Sequence, residues 1–263
     1  MKSQILAATA AAALLAGCQT VSEPAPVAAA PAVAIPEGTG YFAADSTLDL
    51  KAPDFTRFGE ADIVPAIEQG MAIQRAEVAA IIANPEPPTF ENTIVALEKS
   101  GRMLGRVHRI VGALTGANTT DTLDKIDEET SPRLTAHSDS ITLNPALFAR
   151  VKAVYDNRAA MSMTPEDAKL LENTYEGMVH AGALLTAGEV EQVKAINAEL
   201  STLTTQFGQT VRQASLDGAL IVDTRAELKG LSEADIAAAA KLAAEKGQPG
   251  KFAIALQNTT QQP

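Results

Sequence analysis

The chain has no tryptophan, a single cysteine and three histidines, and aromatic residues make up only 4% of its 263 residues. With so few rings, Ala, Leu, Ile and Val must fill the interior, and Ala- and Leu-rich segments favour helix because Ala loses no side-chain entropy there. One cysteine excludes an intrachain disulfide. Basic residues are outnumbered 21 to 32 and never form a run, leaving a formal charge of -11. Such a chain repels phosphate backbones, so nucleic acid is not an expected partner.

Catalytic signatures are missing as well. A thermolysin-type zinc site needs two histidines four apart on a helix, so that both rings face one metal, with a glutamate after the first as base. Four residues beyond His108, His137 and His180 stand Gly112, Ile141 and Leu184, and no histidine precedes a glutamate. There is no Gly-x-Ser-x-Gly elbow. Gly101, Gly105 and Gly112 sit within a helical pattern rather than after a strand, which excludes a phosphate loop. Acidic clusters such as Asp127-Glu128-Glu129 read as solvated helix faces without calcium-loop spacing. His108 reads as a boundary residue of an apolar stripe, His137 as a hydrogen-bonded surface residue, and His180 as a partner for Glu176 one turn earlier.

What is present falls into four parts. Residues 1–18, MKSQILAATAAAALLAGC, pair a basic start with an apolar run too short to span a bilayer, the pattern of an export signal. Leu15-Ala16-Gly17-Cys18 resembles the bacterial lipoprotein box, which assigns lipidation to Cys18; the plainer reading is a signal peptide with a chance cysteine. Gln19 follows where inner-membrane retention favours aspartate, so the expected location is the cell envelope, on the periplasmic side of the outer membrane. Residues 19–53 read as a tether. Its Pro/Ala-rich portion, reaching to about Gly40, could extend on the order of 60 Å at polyproline rise.

Residues 54–216 read as a helical lobe. Ile63, Ile67, Met71, Val78 and Ile82 mark one helix face, stopped by Asn84–Pro88. Thr89 caps a long helix striped by Phe90, Ile94, Leu97, Leu104, Val107, Val111 and Leu114, with Gly101 on the stripe where a neighbouring backbone can approach. Pro132 predicts a kink or break in the helix over 121–141. Asn144-Pro145 and Thr164-Pro165 each open a helix. Val193, Ile196, Leu200, Leu203, Phe207, Val211 and Ala214 then step by three and four, predicting a long helix from about Ala187 to Ser215. Residues 217–263 change character. Short strands at Ala219–Val222 and Lys251–Leu256 flank an Ala-rich helix opened by Ser232 and closed by Gly247. They are expected to pair as a small β-α-β unit or within a larger sheet.

The blocks NPEPPTFENTI (84–94), SGRMLGRV (100–107), LTGANTTD (114–121), SPRLTAHSD (131–139), NPALFARV (144–151) and LSTLTTQF (200–207), in this order, resemble the amino-terminal part of the thimet oligopeptidase family of zinc metallopeptidases, in particular its bacterial dipeptidyl carboxypeptidase branch. The resemblance implies a mainly α architecture of long antiparallel helices. It also implies a deep channel admitting short peptides, zinc in a His-Glu-x-x-His site, and release of dipeptides from the carboxyl end. Those catalytic motifs belong to the family's carboxyl-terminal half, so no catalytic or metal residue is carried over to this chain. The ending QNTTQQP falls where family members run on. The expectation is therefore an inactive amino-terminal portion whose partners are short peptides, the missing catalytic half and, through the lipid, a membrane. The alternative is a non-catalytic helical lipoprotein that binds peptides or a partner protein.

Overall fold

A computed structural model describes residues 33–256; Cys18, the export signal, the first part of the tether (19–32) and the last seven residues lie outside this range. The architecture is mainly helical with one two-stranded sheet. Its spine is α1 (Ile63–Ala83), whose two halves serve two cores. The first half buries Ile63, Ile67 and Met71 with Phe42, Met103, Val107, Leu123 and Ile126. The second half places Val78 and Ile81 against Ile94, Leu147, Phe148, Val151, Val154, Leu171 and Met178. The clusters are almost wholly aliphatic, as the scarcity of rings requires.

The fold begins before Asp54. Phe42 is fully enclosed, and Tyr41 stacks on Phe58 with ring centroids 4.9 Å apart. Arg106 fixes this segment by donating to the carbonyls of Phe42 (2.9 Å) and Ala43 (2.6 Å) and to the Asp45 carboxylate (2.9 Å). Thus residues 41–43, assigned by composition to the tether, are part of the first core.

The helix expected to start at Thr89 is not one helix. A π-helical turn, Phe90–Val95, runs into α2 (Ala96–Glu98), and the chain then breaks at Gly101 before α3 (Arg102–Asn118). Thr89 does cap the opening turn: its hydroxyl accepts from the Asn92 N–H at 3.1 Å, and the Asn92 side chain accepts from the Thr89 N–H at 2.8 Å. Gly101 takes φ 69°, a left-handed conformation open to glycine and strained for other residues. The close backbone approach occurs instead at Gly70 of α1, where a Cβ would stand 2.9 Å from the Leu104 Cα.

Pro132 does not interrupt α4 (Asp121–Thr142), which continues through it. Asn144 and Thr164 cap α5 (Pro145–Asp156) and α6 (Pro165–Ala181) through their side-chain oxygens, as their sequence contexts imply. The long helix α7 spans Ala187–Asp217. Beyond it, β1 (Leu220–Val222) and β2 (Phe252–Ile254) pair antiparallel, with Leu220 opposite Ile254. The α8 helix (Glu233–Glu245) lies between them in sequence. Antiparallel pairing overturns the β-α-β arrangement, which requires parallel strands.

Candidate functional site

The break at Gly101 is the best-organised polar feature of the helical body. Its N–H donates to the Glu77 carboxylate of α1 at 2.7 Å, capturing a donor that the interrupted helix leaves free. A Cβ on Gly101 would lie 2.4 Å from the Gln74 Nε2, so the Gln74 side chain occupies the space that the missing side chain opens. Gln74 in turn presents Oε1 to His137 Nε2 at 2.8 Å. Glycine, glutamine and histidine thus tie α1, α3 and α4 together from one point.

His137 is buried, not on the surface as its polar sequence neighbours suggest. Burial lowers its pKa below the ordinary value, and the nearby Arg75 charge lowers it further. The ring is therefore neutral near pH 7, donates from Nε2 to Gln74, and keeps Nδ1 as an acceptor without a protein partner. A histidine with a depressed folded-state pKa contributes fully above its unfolded pKa near 6.5 and loses that contribution as pH falls below it. Thermal unfolding of the wild type and His137→Gln, followed from pH 7.5 to 5, should accordingly show the wild-type advantage shrinking as acid is added. An advantage independent of pH would mean that the ring stays uncharged or is matched by the replacement.

Around this point lies a cleft of about 400 Å³, lined by Gln74, Gly101, Leu104, His108, His137 and Ile141 among others. A second hollow of about 390 Å³ shares His108 and Leu134 with it and continues onto α7 at Asn197, Leu200 and Thr204. Together they make a groove in which Leu104, Leu134, Ile141 and Leu200 are interspersed with polar side chains such as His108, Asn197 and Thr204, and which carries no assembled nucleophile or acid–base pair. Sequence spacing gave no hint that His108 and His137 share a cleft, because they come from different helices. His180 is exposed on α6, and no ion pair or hydrogen bond joins it to Glu176 among the described residues.

The donor set does not fit zinc. Among the described residues no group of three His, Cys, Asp or Glu side chains is placed to hold a metal. His137 already spends Nε2 on Gln74, and the other two histidines are exposed. No reaction step through a metal is therefore derived for these residues. Cys18, the sequence candidate for lipidation, lies outside the described residues. No helix among the described residues is long and apolar enough to cross a membrane.

The remaining motif blocks resolve into fold anchors. Arg150 joins the first block to the fifth, donating to the Asn84 carbonyl at 2.9 Å and the Asn92 side chain at 3.2 Å. Arg133 pairs with Glu68, and Asp139 accepts from Asn197 of α7 at 2.9 Å. Thr120 caps α4 by accepting from the Leu123 N–H at 3.1 Å. The exception is 200–207, whose Leu200, Leu203 and Phe207 are all exposed.

Known proteins bear out the resemblance carried by these blocks. The chain is 43% identical over 222 residues to the dipeptidyl carboxypeptidase of Escherichia coli (strain K12), covering 84% of this chain and 33% of that protein. It is 41% identical over 218 residues to the dipeptidyl carboxypeptidase of Salmonella typhimurium, covering 83% and 32%. Oligopeptidase A of Salmonella typhimurium is 25% identical over 198 residues, covering 75% and 29%. The chain thus spans about a third of the length of the curated relatives it matches. No protein-family model matches it.

Proposed function

We propose, from this likeness to dipeptidyl carboxypeptidases and oligopeptidase A, that the chain is the amino-terminal portion of an exported zinc metallopeptidase of the thimet oligopeptidase type, acting on short peptides. The observation that carries the reading is 43% identity sustained over 222 residues, a stretch that holds all six motif blocks. In this reading the helices form a wall of the peptide channel, and the cleft past His137 and His108 is the part of that wall contributed by this chain. The hydrolytic metal and its acid–base partner belong to the two thirds of the protein that this chain does not span. Zinc would supply an activated water there, and the chain alone is inactive.

Joining the chain in frame to the remaining two thirds of the Escherichia coli relative tests this directly. The fusion is expected to release dipeptides from the carboxyl end of a blocked tripeptide and to stop when a chelator is added. The chain by itself should show no turnover above background. A folded fusion without activity sinks the peptidase reading. Chelator-sensitive cleavage by the isolated chain would place the site within it and sink the division of labour.

Export and anchoring rest on the Leu15-Ala16-Gly17-Cys18 box. Two signals are normally needed for stable anchoring by acyl chains, and a lipoprotein cysteine carries more than one chain. Labelled palmitate should enter the wild-type chain in a bacterial host and be absent from Cys18→Ser. Equal labelling of both would remove Cys18 as the anchor.

A further inference from the structure

We infer that the outer seam of α7 is the docking surface for a single amphipathic helix of the polypeptide that this chain does not span, packed in the manner of a coiled coil. The inference rests on the proposed function for the identity of that polypeptide. Its physical basis is the inverted amphipathicity of α7. Ile196, Leu200, Leu203, Phe207 and Val211 are 61%, 58%, 52%, 70% and 47% exposed, respectively. No described residue of this 31-residue helix is buried, and none belongs to either core.

What holds α7 in place is its polar side. Asn197 donates to the buried Asp139 of α4 at 2.9 Å, Gln209 donates to the Asp124 carbonyl at 3.2 Å, and Arg212 pairs with the Asp124 carboxylate. At 100° per residue Asn197 lies about 70° from the centre of the apolar seam, Arg212 about 130° and Gln209 about 170°, so α4 runs along one side of the seam and leaves its outer face uncovered. The helix is therefore supported by hydrogen bonds on one side, while its largest apolar side chains face solvent on the other. Monomeric proteins seldom expose a contiguous apolar surface of this kind unless it is an interaction site.

The seam also describes its occupant. Steps of three and four from Val193 to Ala214 repeat the spacing of coiled-coil core positions over about 32 Å, roughly three heptads. A stripe this narrow suits one helix crossing at a shallow angle, not a sheet or a second layer. Its flanks are polar and nearly uncharged: Gln192, Glu199, Gln206 and Gln213 on one side, Asn197 and Thr204 on the other. The partner helix must offer an aliphatic seam with uncharged flanks and no acid opposite Glu199. Relatives three times as long have ample polypeptide to provide it. Among the six motif blocks, 200–207 is the one whose large apolar residues join neither core of this chain, which is expected of a surface built for the absent part.

The test uses the 263-residue chain carrying Cys18→Ser, mixed with the purified two thirds of the Escherichia coli dipeptidyl carboxypeptidase that this chain does not span. Sedimentation velocity should show a 1:1 complex, and amide exchange across 193–214 should slow at least about tenfold in it. Leu200→Glu with Phe207→Glu should weaken the complex by about 30-fold or more, since charges would be buried at the centre of the contact. Ala195→Glu adds one such charge away from the seam and should leave affinity within about threefold. Ala195, Leu200 and Phe207 are exposed in the isolated chain, so helicity by circular dichroism should not change on replacing them. A complex indifferent to the double substitution, no complex at all, or a dimer of this chain that the double substitution dissolves would each overturn the inference. Dipeptide release by the mixture is read separately. A seam-dependent but inactive complex sinks the proposed peptidase and leaves the docking intact, and an active complex indifferent to the seam does the reverse.

Discussion

Gly101→Ala should unfold at markedly lower denaturant than the wild type, with a loss of about 2–4 kcal/mol. Two costs combine. A left-handed backbone at φ 69° penalises any Cβ by about 1–2 kcal/mol. That Cβ would also fall 2.4 Å from Gln74 Nε2 and 2.8 Å from Gln74 Oε1, expelling the side chain from its place against His137. Relaxing the clash therefore breaks a bond to a buried histidine, a loss of about 1–3 kcal/mol when a partner is left unpaired. The diagnostic is coupling: Gly101→Ala should cost less in a His137→Gln background than in the wild type. Strictly additive losses would show that the glycine is needed only for its own backbone, and a total below about 1 kcal/mol would show that neither cost applies.

Leu147→Ala is expected to remove about 2–5 kcal/mol through a different cause, a cavity. Leu147 has no exposed surface and belongs to the second core with Val78, Ile81, Ile94, Val151 and Leu171. Its position in the first turn of α5 is set by Asn144, whose side chain accepts from the N–H groups of Ala146 and Leu147, both at 3.0 Å. That cap leaves α5 little freedom to slide inward and fill the gap, which places the loss toward the upper end. For a domain of this size each 1 kcal/mol shifts the melting temperature by about 2–4 °C, so a fall of about 10 °C is expected in calorimetry. Because α1 belongs to both cores, the transition should stay single. Two resolved transitions would mean that the clusters unfold independently, and a shift of less than about 3 °C would mean that the site repacks.

These two sites differ in how visible they are from sequence. Leu147 stands in an apolar period directly behind an Asn-Pro cap, and both signals act through neighbours within four residues. The role of Gly101 depends on Gln74 and Glu77, residues on another helix whose proximity no local pattern encodes. The stripe from Phe90 to Leu114 runs in phase across Gly101, so periodicity alone joins two helices that the structure separates. His137 shows the same limit. Its flanking threonine, serine and aspartate suggest a surface position, yet α4 turns the ring toward Gln74 while Ser138 and Ser140 remain exposed.

Local physical chemistry settled the helical class, the scarcity of rings in the core, the caps at Thr89, Asn144, Thr164 and Ser232, the extent of α7 and, through six ordered blocks, the likeness to the thimet oligopeptidase type. Each depends on side-chain spacing or on bonds a few residues long, which the order of residues states outright. Tertiary packing alone decided the break at Gly101, the antiparallel sense of β1 and β2, the entry of Phe42 into the core, the meeting of His108 and His137, and the solvent-facing side of α7. Those outcomes depend on which surfaces meet across tens of residues. A periodic apolar stripe specifies that a face wants cover and is silent on whether this chain or another provides it.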